Sequence, residues 1–271
     1  MLSILNSISS LTAENALSNT QVSLQKTLTE LSTGLKINTG SDDAAGLSIA
    51  NGLQANISAL SQSSQNASDG VGLLQTADGA LSQVTALLNR AVTLATEAST
   101  GGLSTSQSSA LDTEYQSILT EIGNIGSTTN YNGQAIFGTT STVFTSDGTT
   151  SGSNTTSTAI GALTTAALAL TGTDLTSTAN AQTALTAITT AIGTVAANRG
   201  SIGAAVNQLT ATSNVENTEV TNLTSAENSV QNADIGQTVA QMTQFNVLQQ
   251  TGMAALSQSN QAQQSVLKLL Q

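Results

Sequence analysis

Few side chains in this chain could do chemistry, and the most suggestive are two neighbouring carboxylates, Asp42 and Asp43. Paired carboxylates can hold a hard cation such as Ca²⁺. They can also cap a helix, because carboxylate oxygens accept hydrogen bonds from its unpaired first N–H groups and favour its positive end. An apolar helical pattern begins directly after this pair, so the sequence favours the cap over the cation site.

The composition excludes several other kinds of site. The 271 residues include no cysteine and no histidine, which removes thiol chemistry, the commonest zinc ligands and Ser-His-Asp or Cys-His triads. Sixteen acidic and five basic residues give a net charge of −11, which argues against nucleic-acid binding. No apolar run approaches the roughly 18 residues that span a membrane. We therefore expect no enzyme, no cofactor, no metal and no membrane insertion.

The elements that would position any site are long helices. The chain has no proline, the residue that breaks helices, and its apolar residues recur in alternating steps of four and three, as in coiled coils. The first such ladder starts at Leu17. A second predicts a helix from about 44 to 98. A third lies at 111–125, a fourth runs from 181 towards 230, and the last covers 235–270.

Residues 137–178 differ in kind, being dense in Ser, Thr and Gly and free of Lys and Arg. Ser141–Thr145 has the composition of a short strand, and Asp147-Gly148 is a hairpin turn signal. Two interpretations stay open, a flexible polar linker and a small exposed hairpin lying on the helices. The fold class is mainly α, a long helical coiled coil or bundle with a small β-hairpin region in mid-chain.

Both ends of the chain are amphipathic, and a lone amphipathic helix is marginal in water. The two ends could pair with each other or with other copies. We expect five segments: a terminal helix at 1–40, half of a bundle at 41–135, a hairpin or loop at 136–179, the other half at 180–225, and a second terminal helix at 226–271.

Several stretches closely resemble the signatures of bacterial flagellin, in the order that the family has them. They cover about 1–135 and 180–271. The matching stretches are LSTGLKIN at 31–38, SDDAAGLSIA at 41–50, NASDGV at 66–71, QTADGAL at 75–81, IGA at 202–204, NQL at 207–209, ADI at 233–235, LQQTGMAALSQSNQ at 248–261 and QSVLKLL at 264–270.

The resemblance implies a structural subunit that polymerises into the extracellular flagellar filament, with only the core domains because few residues separate the two halves. It implies self-association, contacts with cap and hook-associated junction proteins, a cytosolic chaperone that holds the C-terminal segment, and flagellar type III export. Residues 1–6 lack the basic flank and apolar region of a secretory signal, which accords with that route. The residues expected to pack in the filament core are Leu17, Leu24, Leu28, Leu31, Leu35, Ile235, Val239, Met242, Met253, Leu256, Leu267 and Leu270.

Two further sites rest on the resemblance. Arg90, Leu94 and Glu114 stand where family members contact the vertebrate flagellin-sensing Toll-like receptor, although Arg90 and Glu114 could simply pair across the bundle. Thr149, Ser151 and Thr155 could carry O-linked sugars, or lie in a plain solvated loop. Alternatives to a filament subunit are a hook–filament junction protein, another secreted coiled-coil adhesin or filament subunit and, more remotely, an enzyme.

Overall fold

The structure, a computed structural model, describes residues 8–146 and 155–269. Within these residues it contains five helices and four short strands. The helices are α1 (Ile8–Thr33), α2 (Ala44–Ala98), α3 (Thr105–Thr128), α4 (Thr178–Gln231) and α5 (Ile235–Leu269); the strands are β1 (Asn130–Tyr131), β2 (Gln134–Ala135), β3 (Thr139–Phe144) and β4 (Thr155–Ile160).

The long helices follow the apolar ladders closely. The predicted helix from about 44 to 98 is confirmed as α2, and the fourth ladder does continue to the end of α4. The start of α3 is fixed by a capping box, in which the Gln107 backbone N–H donates to the Ser104 hydroxyl and the Ser104 backbone N–H donates to the Gln107 side chain. The mainly α prediction is therefore confirmed.

Residues 1–55 and 222–271 form one compact unit, here called the terminal unit. In it α1 and α5 run antiparallel, because Ser10 hydrogen-bonds Ser259 at one end and the Ala233 N–H donates to the Gly34 carbonyl at the other. Gly34 ends α1 with a φ of +74°, the left-handed conformation that glycine adopts at helix C-termini. The C-terminal end of α1 and the N-terminal end of α5 are thus joined through the main chain, whereas the other ends of the two helices meet through serine side chains.

Residues 56–221 form a second compact unit, here called the central unit. It holds most of α2 and α4, all of α3 and the four strands. Their inward faces supply one continuous apolar core, made largely of Leu, Ile, Val and Ala because the chain has few aromatic residues. Its large, fully buried side chains include Leu74, Leu81, Leu88, Leu94, Tyr115, Ile122 and Ile136.

The hairpin prediction is confirmed as an antiparallel pair, β3 with β4, in which Thr139 lies opposite Ile160 and Phe144 opposite Thr155. The turn signal at Asp147-Gly148 lies outside the described residues. Val143 of β3 packs against Gly70 of α2, where a side chain would collide with it. The pair therefore lies on the helices, as the sequence interpretation had it.

The polar-linker alternative is wrong for the segment that follows β4. Leu163, Leu168, Leu170 and Leu175 are buried in the central core. Helix α3 fixes this segment through hydrogen bonds, since the Tyr115 hydroxyl lies 2.6 Å from the Thr173 hydroxyl. Leucines spaced irregularly in a loop can reach a core without a helical or strand period, which is why the pattern alone did not find them.

Candidate assembly surface

A serine pair and a glycine lie where α1 and α5 meet. The Ser10 and Ser259 hydroxyl oxygens lie 2.8 Å apart, and Gly252 of α5 lies against the side chain of Leu17. Such residues allow close approach of the two helices but bury little apolar area. The seam therefore leaves much of both helix surfaces uncovered within one copy.

Of the predicted filament-core residues of α1, Leu17 contacts α5 at this seam. Leu17, Leu24 and Leu31 are half-buried, and so is Leu35 just beyond the helix. Leu28 is exposed instead. One copy of the chain thus satisfies most of the α1 ladder only in part.

The predicted filament-core residues of α5 divide into two groups. Met242 and Leu256 are half-buried, whereas Ile235, Val239 and Met253 are exposed. The exposed three share one face, because their spacings of four and eighteen residues are close to whole helical turns. Leu267 lies in a part of α5 whose side chains are not described, and Leu270 lies outside the described residues.

The ladder prediction missed an outer apolar stripe on α1. Ile8, Leu11 and Val22 are exposed, and Val22 is 65% exposed. Val22 follows Leu17 by five residues, which turns it about 140° away from the face that meets α5. The spacing of three residues from Ile8 to Leu11 and of eleven from Leu11 to Val22 could have predicted this stripe, but the leucine ladder gave the stronger pattern.

The terminal unit thus exposes many of its large apolar side chains, whereas the central unit buries most of its own. Of the large hydrophobic side chains that are exposed in the described residues, all but Phe144 and Val215 belong to it, whereas among the buried hydrophobic residues it contributes only Ile37 and Ala50. Exposed apolar side chains gathered in one part of a protein are typical of an interaction surface. The exposed apolar set of the terminal unit comprises Ile8, Leu11, Val22, Leu28, Ile49, Ile235, Val239, Val247, Leu248 and Met253.

An ion pair braces the loop between α1 and α2. The Lys26 ammonium lies 2.9 Å from the Asp42 carboxylate, which also accepts hydrogen bonds from the backbone N–H groups of Asn38 and Thr39 and from the Thr39 hydroxyl. The Lys26 ammonium, followed by the bonds from Thr39, holds the pKa of the Asp42 carboxyl well below its usual range. The same contact raises the pKa of Lys26.

Asp43 confirms the helix-cap prediction. Its carboxylate accepts a hydrogen bond of 2.9 Å from the Gly46 N–H in the first turn of α2. Asp42 instead turns towards Lys26 and its own loop. The two carboxylates therefore serve different partners, and each is engaged in protein hydrogen bonds.

The three residues of the proposed receptor contact have unequal exposure. The Arg90 guanidinium approaches the Glu114 carboxylate to 2.7 Å, and both side chains are about half exposed. This confirms the pairing that the sequence had offered as the alternative. Leu94 is only 1% exposed and packs in the central core, so a protein docking on this surface would touch Arg90 and Glu114 rather than Leu94.

Of the three candidate glycosylation residues, Thr155 is exposed at the start of β4. Thr149 and Ser151 lie outside the described residues. Across residues 8–146 and 155–269, no helix is both long enough and apolar enough to cross a bilayer.

Two protein-family models match the chain in order. The model described as the bacterial flagellin N-terminal helical region matches residues 4–142, and the model described as the C-terminal helical region matches residues 185–270. Together they take in both helices of the terminal unit and most of the central unit. Only the segment containing β4 and the buried leucines after it separates them.

Individual proteins match over different lengths. A flagellin of Halalkalibacterium halodurans is 37% identical over 96% of this chain and 97% of its own length. A flagellin of Serratia marcescens is 43% identical, but over 46% of this chain and 35% of that protein. The phase 1 flagellin of Salmonella naestved is 41% identical over 47% of this chain and 25% of that protein. The matched regions thus span about a third or less of these two relatives.

Among solved structures, the crystal structure of Bacillus cereus flagellin resembles this fold with a TM-score of 0.50 and 30% sequence identity, over 56% of this chain and 88% of that one. This likeness agrees with the two family models and with the full-length similarity to a flagellin. The chain therefore belongs to the bacterial flagellin family, as a flagellin with the core domains only and a structural subunit of the flagellar filament.

Proposed function

We propose that copies of this flagellin join through the exposed apolar set of their terminal units. The observation that carries the proposal is the distribution of large apolar side chains, which are exposed in the terminal unit and buried in the central unit. In terms of the five predicted segments, residues 1–40 and 226–271 would contact other copies. Segments 41–135, 136–179 and 180–225 would form the bundle attached to them.

The two outer surfaces of the terminal unit are different from each other. Ile8, Leu11 and Val22 lie on α1, whereas Ile235 and Val239 lie on α5. Unlike surfaces that meet head to tail give contacts that do not close, and such contacts build helical fibres. Burying each large side chain contributes about 1.5–3 kcal/mol, which offsets the cost of ordering the terminal helices during assembly.

The same exposed surface bears on the other partners. A cytosolic chaperone that holds the C-terminal segment would cover Val247, Leu248 and Met253 of α5 before export through the flagellar type III apparatus. Cap and hook-associated junction proteins would meet the outer stripes at the two filament ends. The assembled filament would stand outside the cell.

Two contacts of the central unit are also proposals. The half-exposed Arg90–Glu114 pair is the part of this surface that a vertebrate flagellin-sensing Toll-like receptor could touch. Thr155, exposed at the start of β4, could carry an O-linked sugar. Mass spectrometry of filaments from the source cells would test the sugar, and receptor activation by the Glu114→Ala variant would test the contact.

Two valines of equal exposure provide the decisive test of assembly. Val22 in the terminal unit and Val215 in the central unit are each 65% exposed on a helix. We expect Val22→Asn to prevent polymer growth and Val215→Asn to leave it near normal, measured by light scattering and negative-stain microscopy of purified chains. Circular dichroism of both variants before assembly checks that each has folded. Equal losses in the two variants, or none in Val22→Asn, would refute the assignment.

A further inference from the structure

The two methionines within the described residues have different surroundings, although both lie on α5. Met253 is 50% exposed, whereas Met242 is half-buried. Next to Met253, Gly252 faces Leu17 of α1. One residue further along a helix is a rotation of about 100°, which turns Met253 away from that contact. Met242 is eleven residues earlier and lies within about 20° of the same face, so the two methionines differ in what packs beside them rather than in the face they occupy.

We propose that Met253 is an oxidation site that controls assembly, with a hydroperoxide such as hydrogen peroxide as the oxidant. A lone pair of the Met253 sulfur attacks one peroxide oxygen, the O–O bond breaks and an S–O bond forms. The departing hydroxide takes up the remaining proton and leaves as water. Sulfur loses two electrons, the peroxide gains them, and the side chain becomes methionine sulfoxide.

This inference rests on the proposed function, because the consequence depends on Met253 becoming buried between copies. A sulfoxide oxygen is a strong hydrogen-bond acceptor, and burying it without a donor is costly. The sulfoxide is polar where the thioether was apolar, so burying it between copies costs desolvation free energy even with the amide side chains of Gln249 and Gln250 one turn away on α5. Oxidation in the free chain therefore opposes assembly, whereas assembly covers the sulfur and protects it.

The methionine thioethers are the only sulfur groups in the chain that an oxidant could modify. It contains three methionines and no cysteine, so no thiol of its own competes for the oxidant. The reaction is also reversible, since methionine sulfoxide reductases restore the thioether. Exposure to oxidant would thus hold free subunits in a state that cannot assemble until they are repaired.

The test compares the unaltered chain with Met253→Leu and Met242→Leu, two volume-conserving changes in the same helix. Each free chain is treated with hydrogen peroxide, the oxidant is removed, and growth from filament seeds is followed by light scattering. Peptide mass spectrometry reports the oxygen gained at each methionine. Growth of each chain is expressed relative to its own untreated sample. We expect this ratio to fall about tenfold or more for the unaltered and Met242→Leu chains, the equivalent of losing one ordinary apolar contact, and to stay near one for Met253→Leu.

Two further arms complete the test. Reductase treatment should restore growth of the oxidised chain, and Met253 in intact filaments should be oxidised about tenfold more slowly than in free chains. Normal growth by chains oxidised at Met253, or an equal loss in Met253→Leu, would overturn the inference. Failure of the proposed function is separable, because it would appear as normal growth of the untreated Val22→Asn variant.

Discussion

The central and terminal units use the same residue types for opposite purposes. In the central unit, Leu, Ile, Val and Ala face inwards and form one core, to which even the loop after β4 contributes. In the terminal unit, two helices meet through serines, a glycine and half-buried leucines, and their remaining apolar residues face outwards. The central unit therefore buries its apolar residues within a single copy, whereas the terminal unit leaves many of them available for the contacts that we propose between copies.

The largest effect should come from removing one half of the terminal unit. Deletion of residues 235–271 takes away α5 and with it half of the exposed apolar set. We expect polymerisation to be abolished, while the central unit keeps its helical signal and cooperative melting. Sedimentation and circular dichroism would measure the two outcomes. Fibres of normal length from the truncated chain would remove the distinction between the units.

A matched pair of leucines compares the two units with identical chemistry. Leu88 is buried in the central core and Leu28 is exposed on α1. We expect Leu88→Ala to lower the free energy of unfolding of the free chain by about 2–5 kcal/mol. Leu28→Ala should change it by about 0.5 kcal/mol or less, yet raise the subunit concentration needed for polymer growth. Urea unfolding and sedimentation of assembled material provide the two measurements, and a reversed pattern would contradict the comparison.

Within the described part of the central unit, one buried carboxyl group has an oxygen without a hydrogen-bond partner. Glu216 is 4% exposed; its Oε1 accepts a 2.6 Å hydrogen bond from Ser63, and its Oε2 has no hydrogen-bond partner within the described residues. Ser63→Ala should lower the free energy of unfolding by about 1–3 kcal/mol, because it leaves the whole carboxylate unpaired. Adding Glu216→Leu should recover that loss, since an apolar pair needs no hydrogen bond. Chemical denaturation of the single and double variants measures both changes, and a double variant no more stable than Ser63→Ala would contradict the prediction.

The smallest predicted effect is electrostatic and belongs to the terminal unit. The Lys26 ammonium and the bonds from Thr39 lower the pKa of Asp42 in the folded state. Its stabilisation is therefore fully present above the usual pKa of about 3.9 and is lost as the pH falls towards the lowered value. Hydrogen exchange of the backbone N–H groups of Asn38 and Thr39 should show Asp42→Asn less protected near neutrality and equal to the unaltered chain in strong acid. A pH-independent difference would mean that charge plays no part.

Much of the helical framework could be predicted, because apolar spacing and the absence of proline act locally. The bounds of α2 and the cap at Asp43 were both read correctly from neighbouring residues. The β3–β4 pair was predicted for a similar reason, since strand composition and turn signals are short-range. The family resemblance rested on longer stretches, and the comparisons support it over nearly the whole chain.

The site itself was only partly predictable. The α5 ladder placed Ile235, Val239 and Met253 on one face, but it could not tell whether that face meets α1 or solvent. The stripe through Val22 was missed because the leucine ladder beside it gave a stronger signal. Leu94 was grouped with Arg90 and Glu114 by resemblance, although its side chain lies in the core. Each of these points concerns which neighbour a helix face meets.

The sequence by itself determined where the helices run and which faces of them are apolar, because a helix brings residues three and four apart together whatever surrounds it. Only the tertiary structure decided which of those faces are covered within one copy. That depends on contacts between residues far apart in the chain, such as Leu17 with Gly252 or Val143 with Gly70. Apolar surface gains free energy from any partner that excludes water, so spacing cannot distinguish a partner in the same chain from one in the next.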